Sequence, residues 1–177
     1  MKNILAIGAS NSKKSINKVL ANYIASEIKD TNVINLDWDE IVLPLYSPDL
    51  ETESGIPENI NKFILLIKES DAIVLSLAEH NGQVTAAFKN LWDWASRIDM
   101  SIWGGKPMFL AATSPGGRGG MGVLNAVKTV IPHFGGNVIV DFSLPNFYDN
   151  FKDSNITDEV KKSELMEKVG LFEKEVD

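Results

Sequence analysis

Short apolar, β-branched runs alternate along the chain with longer stretches in which apolar residues recur every three or four positions. The runs at 3–7, 33–36, 72–77, 108–112 and 138–142 read as strands. The amphipathic stretches at 15–29, 57–69, 85–98, 121–134 and 157–175 read as helices. Five βα repeats predict a parallel sheet with helices on both faces. Right-handed crossovers then lead to a doubly wound three-layer α/β sandwich. The inner strands are apolar throughout, as burial on both faces requires. Turn residues mark the boundaries: Pro57 opens a helix, four glycines and a proline fill 114–120, and Gly135 and Gly136 close the fourth helix. Segments 37–56 and 144–156 read as long loops, the second leading into a capping-type start at Thr157, Asp158 and Glu159.

Ligands of such sheets sit beyond the carboxyl ends of the strands, where strand order reverses. Three polar or small-residue loops follow strands one, three and four, at 10–15, 79–83 and 114–120. In a sheet of order 2-1-3-4-5 they are neighbours and predict one composite site. The first is the most informative. An apolar strand runs into Gly8, a Ser/Asn/Lys-rich turn and then a helix, so free N–H groups and the helix dipole converge on one point. Its spacing is close to a P-loop, but Lys13 occupies the second glycine position, and the third strand ends Leu75-Ser76-Leu77 with no aspartate for Mg²⁺. A nucleoside triphosphatase is therefore disfavoured. The hydroxyls of Ser10, Ser12 and Ser15 and the amide of Asn17 suit a phosphomonoester held without metal; the plain alternative is a capped helix start.

The third loop contains a formal G-x-G-x-x-G, Gly117 through Gly119 to Gly122, with Asp141 at the end of the next strand. Residues 113–117 separate that pattern from its strand, which spoils the tight turn of a dinucleotide fingerprint. It reads instead as a loop that lets a flat ring approach backbone N–H groups, with Arg118 at the ring edge or facing a second anion. Glu79, His80 and Asn81 stand just past strand three. A lone loop histidine is more often solvated than a proton carrier. Phe88, Leu91, Trp92 and Ala95 form one helical stripe, best read as core or interface. Trp94 and Trp103 fall off the stripe and read as candidates for an aromatic pocket wall or a dimer contact, and Asp93, Arg97 and Asp99 as solvated charges.

Composition narrows the function further. With 177 residues and 44% hydrophobic content, residues 1–177 form one domain with a full core. No run spans a bilayer, and Gly8 interrupts any signal-peptide core at once. The absence of cysteine excludes disulfides, thiolate metal sites and cysteine nucleophiles. Two histidines are too few for a His-rich metal site. A net charge of -7 disfavours nucleic acid and anionic membranes, and Lys13, Lys14 and Lys18 form the one basic spot beside a motif. A cytoplasmic setting is expected.

Together these loops resemble the NADPH-dependent FMN reductase family, the flavodoxin-like group that includes azoreductases and chromate or quinone reductases. The family's G-S-x-R-x-x-S-x-N loop reads here Ala9-Ser10-Asn11-Ser12-Lys13-Lys14-Ser15-Ile16-Asn17, with Ser12 in the arginine position and Ala9 in the glycine position. Its P-E-Y-N segment reads Ala78-Glu79-His80-Asn81, followed by Gly82 and by Lys89-Asn90. The T-S-P-G-G-R-G-G loop is complete from Thr113 to Gly120, and residues 43–51 are similar to the family's connection after strand two.

The resemblance implies a flavodoxin-like fold that binds FMN noncovalently. Ser10, Ser12, Ser15, Ile16 and Asn17 would hold the phosphate, with Lys13 the cation available in place of the arginine. Glu79, His80, Asn81 and Gly82 would run along the isoalloxazine, and Ser114, Gly116, Gly117, Arg118 and Gly119 would approach its pyrimidine edge. NAD(P)H would be the co-substrate, and a quinone, free flavin, azo compound or metal oxyanion the acceptor, in ping-pong turnover. No side chain would act as a catalytic acid, and no metal is implied. The family also implies a homodimer or homotetramer, for which Trp92, Trp94, Ile102 and Trp103 are the expected surface. The competing readings are a flavodoxin-type electron carrier without NAD(P)H turnover and a flavin-free binding module.

Overall fold

The strands form as the apolar runs predict, each longer by a residue or more except the third. In the computed structural model, which describes residues 1–176, they are β1 (Lys2–Gly8), β2 (Thr31–Asn35), β3 (Ala72–Leu77), β4 (Pro107–Thr113) and β5 (Asn137–Leu144). They pair in parallel in the flavodoxin-like order β2-β1-β3-β4-β5. β3, at the centre, is buried along its whole length.

Alternation along each strand divides the core between the two faces. Ile4, Ala6, Val74, Phe109 and Phe142 pack with Leu20 and Ile24 of α1 (Ile16–Glu27) and with Leu165, Val169 and Phe172 of a C-terminal helix. Leu5, Ile7, Leu75 and Leu110 face the other way. There they meet Phe63 and Ile67, Phe88 and Leu91, and Val123 and Leu124, each pair from a different helix. One register shift, between Met108 and Phe109, interrupts the β4–β5 pairing.

The chain also forms elements within its expected loops. In 37–56, Ser47 accepts a hydrogen bond from the Leu50 N–H (3.1 Å) and Pro48 starts α2 (Pro48–Ser54), which Gly55 ends at a φ of 74°. Next come α3 (Ile60–Glu69), α4 (Ala86–Ile98) and α5 (Met121–Val130), the last continued by a 3₁₀ turn over Ile131–Phe134. In 144–156 there is one turn of helix, α6 (Phe147–Asn150), and a two-residue ribbon pairing Phe151–Lys152 with Asn155–Ile156. The C-terminal helix is α7 (Glu159–Val176); Asp158 accepts from the Lys161 N–H at 2.9 Å at its start.

The tryptophans correct one expectation. Trp94 and Trp103 are fully buried, and Trp92 and Ile102 nearly so. Trp94 donates its indole N–H to the Pro44 carbonyl (2.8 Å), while Trp103 packs against Phe63, Phe88 and Trp92. None of the four lines the site cavity, and Trp94 and Trp103 are covered by this chain's own core, whereas Trp92 and Ile102 each line a separate surface hollow. Asp93 and Arg97 are solvent-accessible charges, and each is also paired: Asp93 with Lys89 (2.6 Å) and Arg97 with Glu51 (2.9 Å). The Arg97–Glu51 bond joins α4 to α2. Asn90 fixes the same region, accepting from the Tyr46 N–H (2.8 Å) and donating to the Pro44 carbonyl (2.9 Å). Among the described residues no helix is long and apolar enough to cross a membrane, and no group of three metal-ligating side chains converges.

Candidate active site

The loops after β1, β3 and β4 enclose one cavity of about 190 Å³ at the carboxyl edge of the sheet. From the first come Ser10, Ser12, Lys14 and Ser15, with Ile16 and Asn17 of α1; Ala78, Glu79 and His80 come from the second. Thr113, Ser114 and Pro115 complete it from the third, and Tyr148 of α6 stands at its rim.

Close packing brings helix α1 to this point. A Cβ on Gly8 would collide with the Lys18 backbone, so only glycine lets α1 lie this near β1. The loop then folds on its own hydroxyls: Ser10 Oγ accepts from the Ser12 N–H (3.2 Å), and Ser12 Oγ from the Lys14 N–H (3.3 Å). Ser15 caps α1 by accepting from the Lys18 N–H at 3.1 Å. Each hydroxyl keeps its proton to donate. The N–H groups of Ile16 and Asn17, in the first turn, have no acceptor among the described residues. No acidic side chain occupies that turn. Two aligned N–H groups, three hydroxyls and the positive end of a helix form a cradle for a phosphate monoester.

The Asn17 side chain has a different task from the one expected. It is buried, its oxygen accepts from Ser76 Oγ (2.8 Å) and the Thr113 N–H (3.1 Å), and its nitrogen donates to the Thr113 carbonyl (3.1 Å). It therefore ties α1 to β3 and β4 and offers a ligand only its backbone N–H. Glu79 is likewise engaged. Its carboxylate accepts from the Val123 N–H (2.9 Å), capping α5 from the second loop. A Cβ on Gly122 would press on that carboxylate at 2.9 Å, so this member of the G-x-G-x-x-G pattern makes room for a capping side chain.

Of the residues singled out in the sequence, Ser10, Ser12, Ser15, Ile16, Asn17, Glu79, His80 and Ser114 line the cavity. Asn81, Gly82, Gly116, Gly117, Arg118 and Gly119 lie outside its lining. Asn81 and Gly82 have φ angles of 52° and 78° and form the tight turn of a ribbon pairing Glu79–His80 with Gln83–Val84. Gly116, Gly117 and Arg118 face solvent, and Gly119 is buried against Ser143. Asp141 sits within β5 rather than at its end and pairs with Lys128. Lys13 points to Asp39 (3.9 Å) and does not reach the cavity, whereas Lys14 does.

Ala78, Thr113 and Tyr148 are lining residues that the sequence reading did not assign to a ligand; Lys14 entered it only within the basic spot at the phosphate position, and Pro115 only within the third loop. Tyr148 reaches the cavity from the one-turn helix after β5, far in sequence from the first loop it lies beside. A separate hollow of about 490 Å³ lies toward β2, against Trp38, Ile41 and Leu43, and is mainly apolar.

The sequence model of the family described as NADPH-dependent FMN reductase matches residues 2–149. The chain belongs to this family. A quinone reductase of Pseudomonas putida is 41% identical over 87 residues, covering 49% of this chain and 46% of that protein. The 2-hydroxy-1,4-benzoquinone reductase of a Burkholderia species is 36% identical over 118 residues, covering 66% of this chain and 62% of that protein. The chain thus spans about half the length of the first of these curated relatives. Among solved structures, FerB of Paracoccus denitrificans, a flavoenzyme NAD(P)H:(acceptor) oxidoreductase, superposes with a TM-score of 0.78 at 26% identity, covering 99% of this chain and 97% of FerB. An NADH:FMN oxidoreductase solved in its apo form shares the fold at a TM-score of 0.71 and 16% identity.

Proposed function

We propose that this chain is an NAD(P)H oxidoreductase that holds FMN noncovalently and passes electrons from the nicotinamide to a small acceptor, a quinone or azo compound foremost. One observation carries this reading. In a member of the FMN reductase family, the loops after β1, β3 and β4 meet at one cavity whose unpaired N–H groups belong to the first turn of α1. The donors present fit a flavin mononucleotide. The Ile16 and Asn17 N–H groups and the Ser10, Ser12 and Ser15 hydroxyls would receive the phosphate. Its volume of about 190 Å³ is smaller than a typical small-molecule pocket of roughly 300 Å³ or more. The cavity would thus enclose the phosphate end and leave the ring in its mouth, between His80 and the Ser114–Pro115 turn.

Bound FMN would supply the hydride and electron transfer chemistry that no side chain here can perform. The chain's part is to position and to exclude. Glu79 and Asn17 hold the second and third loops at fixed spacing, and Tyr148 covers the rim. Named quinone reductases among the relatives favour a quinone acceptor. A cytoplasmic, single-domain enzyme assembled as a homodimer or homotetramer completes the proposal. With the tryptophans buried, Val42 and Leu45, 71% and 81% exposed, are apolar side chains left for such an interface.

Purified protein should show flavin absorbance, with FMN identified by mass in the extract, and should oxidise NADPH or NADH when benzoquinone is added. FMN-loaded protein without such turnover overturns the reductase reading. Protein that takes up no FMN overturns the cofactor assignment.

A further inference from the structure

We infer that Lys14, rather than its neighbour Lys13, supplies the cationic partner of the phosphate in the place where this chain has Ser12. The inference rests on the FMN reading above and adds to it the residue that provides the charge.

Two N–H groups, three neutral hydroxyls and a helix end bring roughly half an elementary charge to a group carrying close to two. In the family's loop pattern an arginine adds to these; here a serine stands in its position. Lys14 is the only lysine or arginine in the cavity lining. The only carboxylate there, Glu79, is already bonded to the Val123 N–H. The Lys14 backbone is pinned by Ser12 Oγ at 3.3 Å, so the serine in the arginine position helps hold the lysine in place. Among the described residues, no carboxylate lies within 4.0 Å of the Lys14 ammonium, which leaves its charge free. The other two lysines of this basic spot differ on these points. Lys13 lies 3.9 Å from Asp39, and neither Lys13 nor Lys18 lines the cavity. An ammonium on a flexible stem also suits a phosphate, which needs a point charge more than a planar fork.

The test compares FMN with riboflavin, which has the same ring and ribityl chain but no phosphate, by quenching of flavin fluorescence. Lys14→Met should weaken FMN binding roughly tenfold, the scale of one charge-assisted hydrogen bond, and leave riboflavin binding unchanged. Added salt should weaken FMN binding less in this variant than in the parent. Lys13→Met should leave both affinities as they are. Ser12→Arg placed in the Lys14→Met protein should restore the preference for FMN. If Lys14→Met leaves the FMN-to-riboflavin ratio unchanged, or Lys13→Met lowers it equally, the inference is overturned while the FMN reading stands. If the parent protein binds no FMN, it is the functional reading that fails.

Discussion

The loop after β1 and the loop after β4 both look like ligand loops in sequence, yet they differ in how they use their hydroxyl groups. The first keeps donors in reserve: hydroxyl protons on Ser10, Ser12 and Ser15, and unpaired N–H groups on Ile16 and Asn17. In the glycine-rich loop the one hydroxyl, on Ser114, donates to the Gly116 carbonyl (3.1 Å), and most carbonyls serve the fold, while the Gly116, Gly117 and Arg118 N–H groups, like those of Ile16 and Asn17, have no acceptor among the described residues. The Gly119 N–H donates to the Gly116 carbonyl (3.2 Å), and the Met121 N–H to Arg118 (3.0 Å). The Gly116 carbonyl also accepts from Asn146, the Ser114 carbonyl from Phe147, and the Gly119 carbonyl from Ser143 Oγ. The first loop leaves side-chain donors at the cavity, and the second uses its carbonyls to brace the wall beside it. Glycine content alone does not tell them apart.

The largest effect should come from breaking the brace. Gly119 has a φ of 58°, and a Cβ there would strike Ser143 and the Leu144–Pro145 backbone. Gly119→Ala should cost roughly 2–4 kcal/mol in thermal or urea unfolding. Gly116, with open space around it and no positive φ, should accept alanine within about 0.5 kcal/mol. Equal costs at the two positions would erase the distinction drawn above.

Asn17 offers a sharper cut, since its side chain joins the two regions. Asn17→Ala removes three buried hydrogen bonds and leaves the Thr113 N–H without its acceptor; the expected loss is about 2 kcal/mol. FMN affinity should fall as well, through displacement of the loops, because the Asn17 N–H itself survives the change. Unfolding curves and flavin titration on the same variant check both parts.

The smallest effect lies far from the cavity and calibrates the others. Partial burial works to raise the pKa of Glu164, but hydrogen bonds from Lys161 (2.8 Å) and Lys168 (2.7 Å) outweigh it and hold the carboxyl below its ordinary value. A folded-state value below the unfolded one means the contribution is complete above the ordinary glutamate range and is lost as pH falls through the lower, folded value. The cluster is about one-third exposed, so Glu164→Gln should cost only roughly 0.5–1 kcal/mol at neutral pH, screened by salt. The difference from the parent protein should vanish in acid.

The fold was legible because its signals are local and repeated. All five strands and five long helices follow from apolar runs and their period, and the sheet has the order 2-1-3-4-5 that the flavodoxin-like resemblance implied. The first loop was legible for the same reason: strand, turn and helix start adjoin in sequence. α2 could have been read from Ser47, Pro48 and the acidic first turn, and the second-loop ribbon from Asn81-Gly82. What could not be read depends on long-range placement. The fate of the Asn17 amide is decided by Thr113, 96 positions away, and that of Glu79 by Val123, 44 positions away. Periodicity likewise could not show that Trp94 and Trp103 are core residues: the Pro44 segment covers Trp94 on α4, and Phe63, Phe88 and Trp92 pack around Trp103.

The Asn17 amide has a thermodynamic corollary. A nucleotide that touches the first and third loops would ordinarily have to spend part of its binding energy on drawing them together. Here that spacing is set during folding, before any ligand arrives. The empty and loaded proteins should therefore share one backbone conformation across the cleft, and flavin uptake should be fast, with little change in amide hydrogen exchange at β3 and β4.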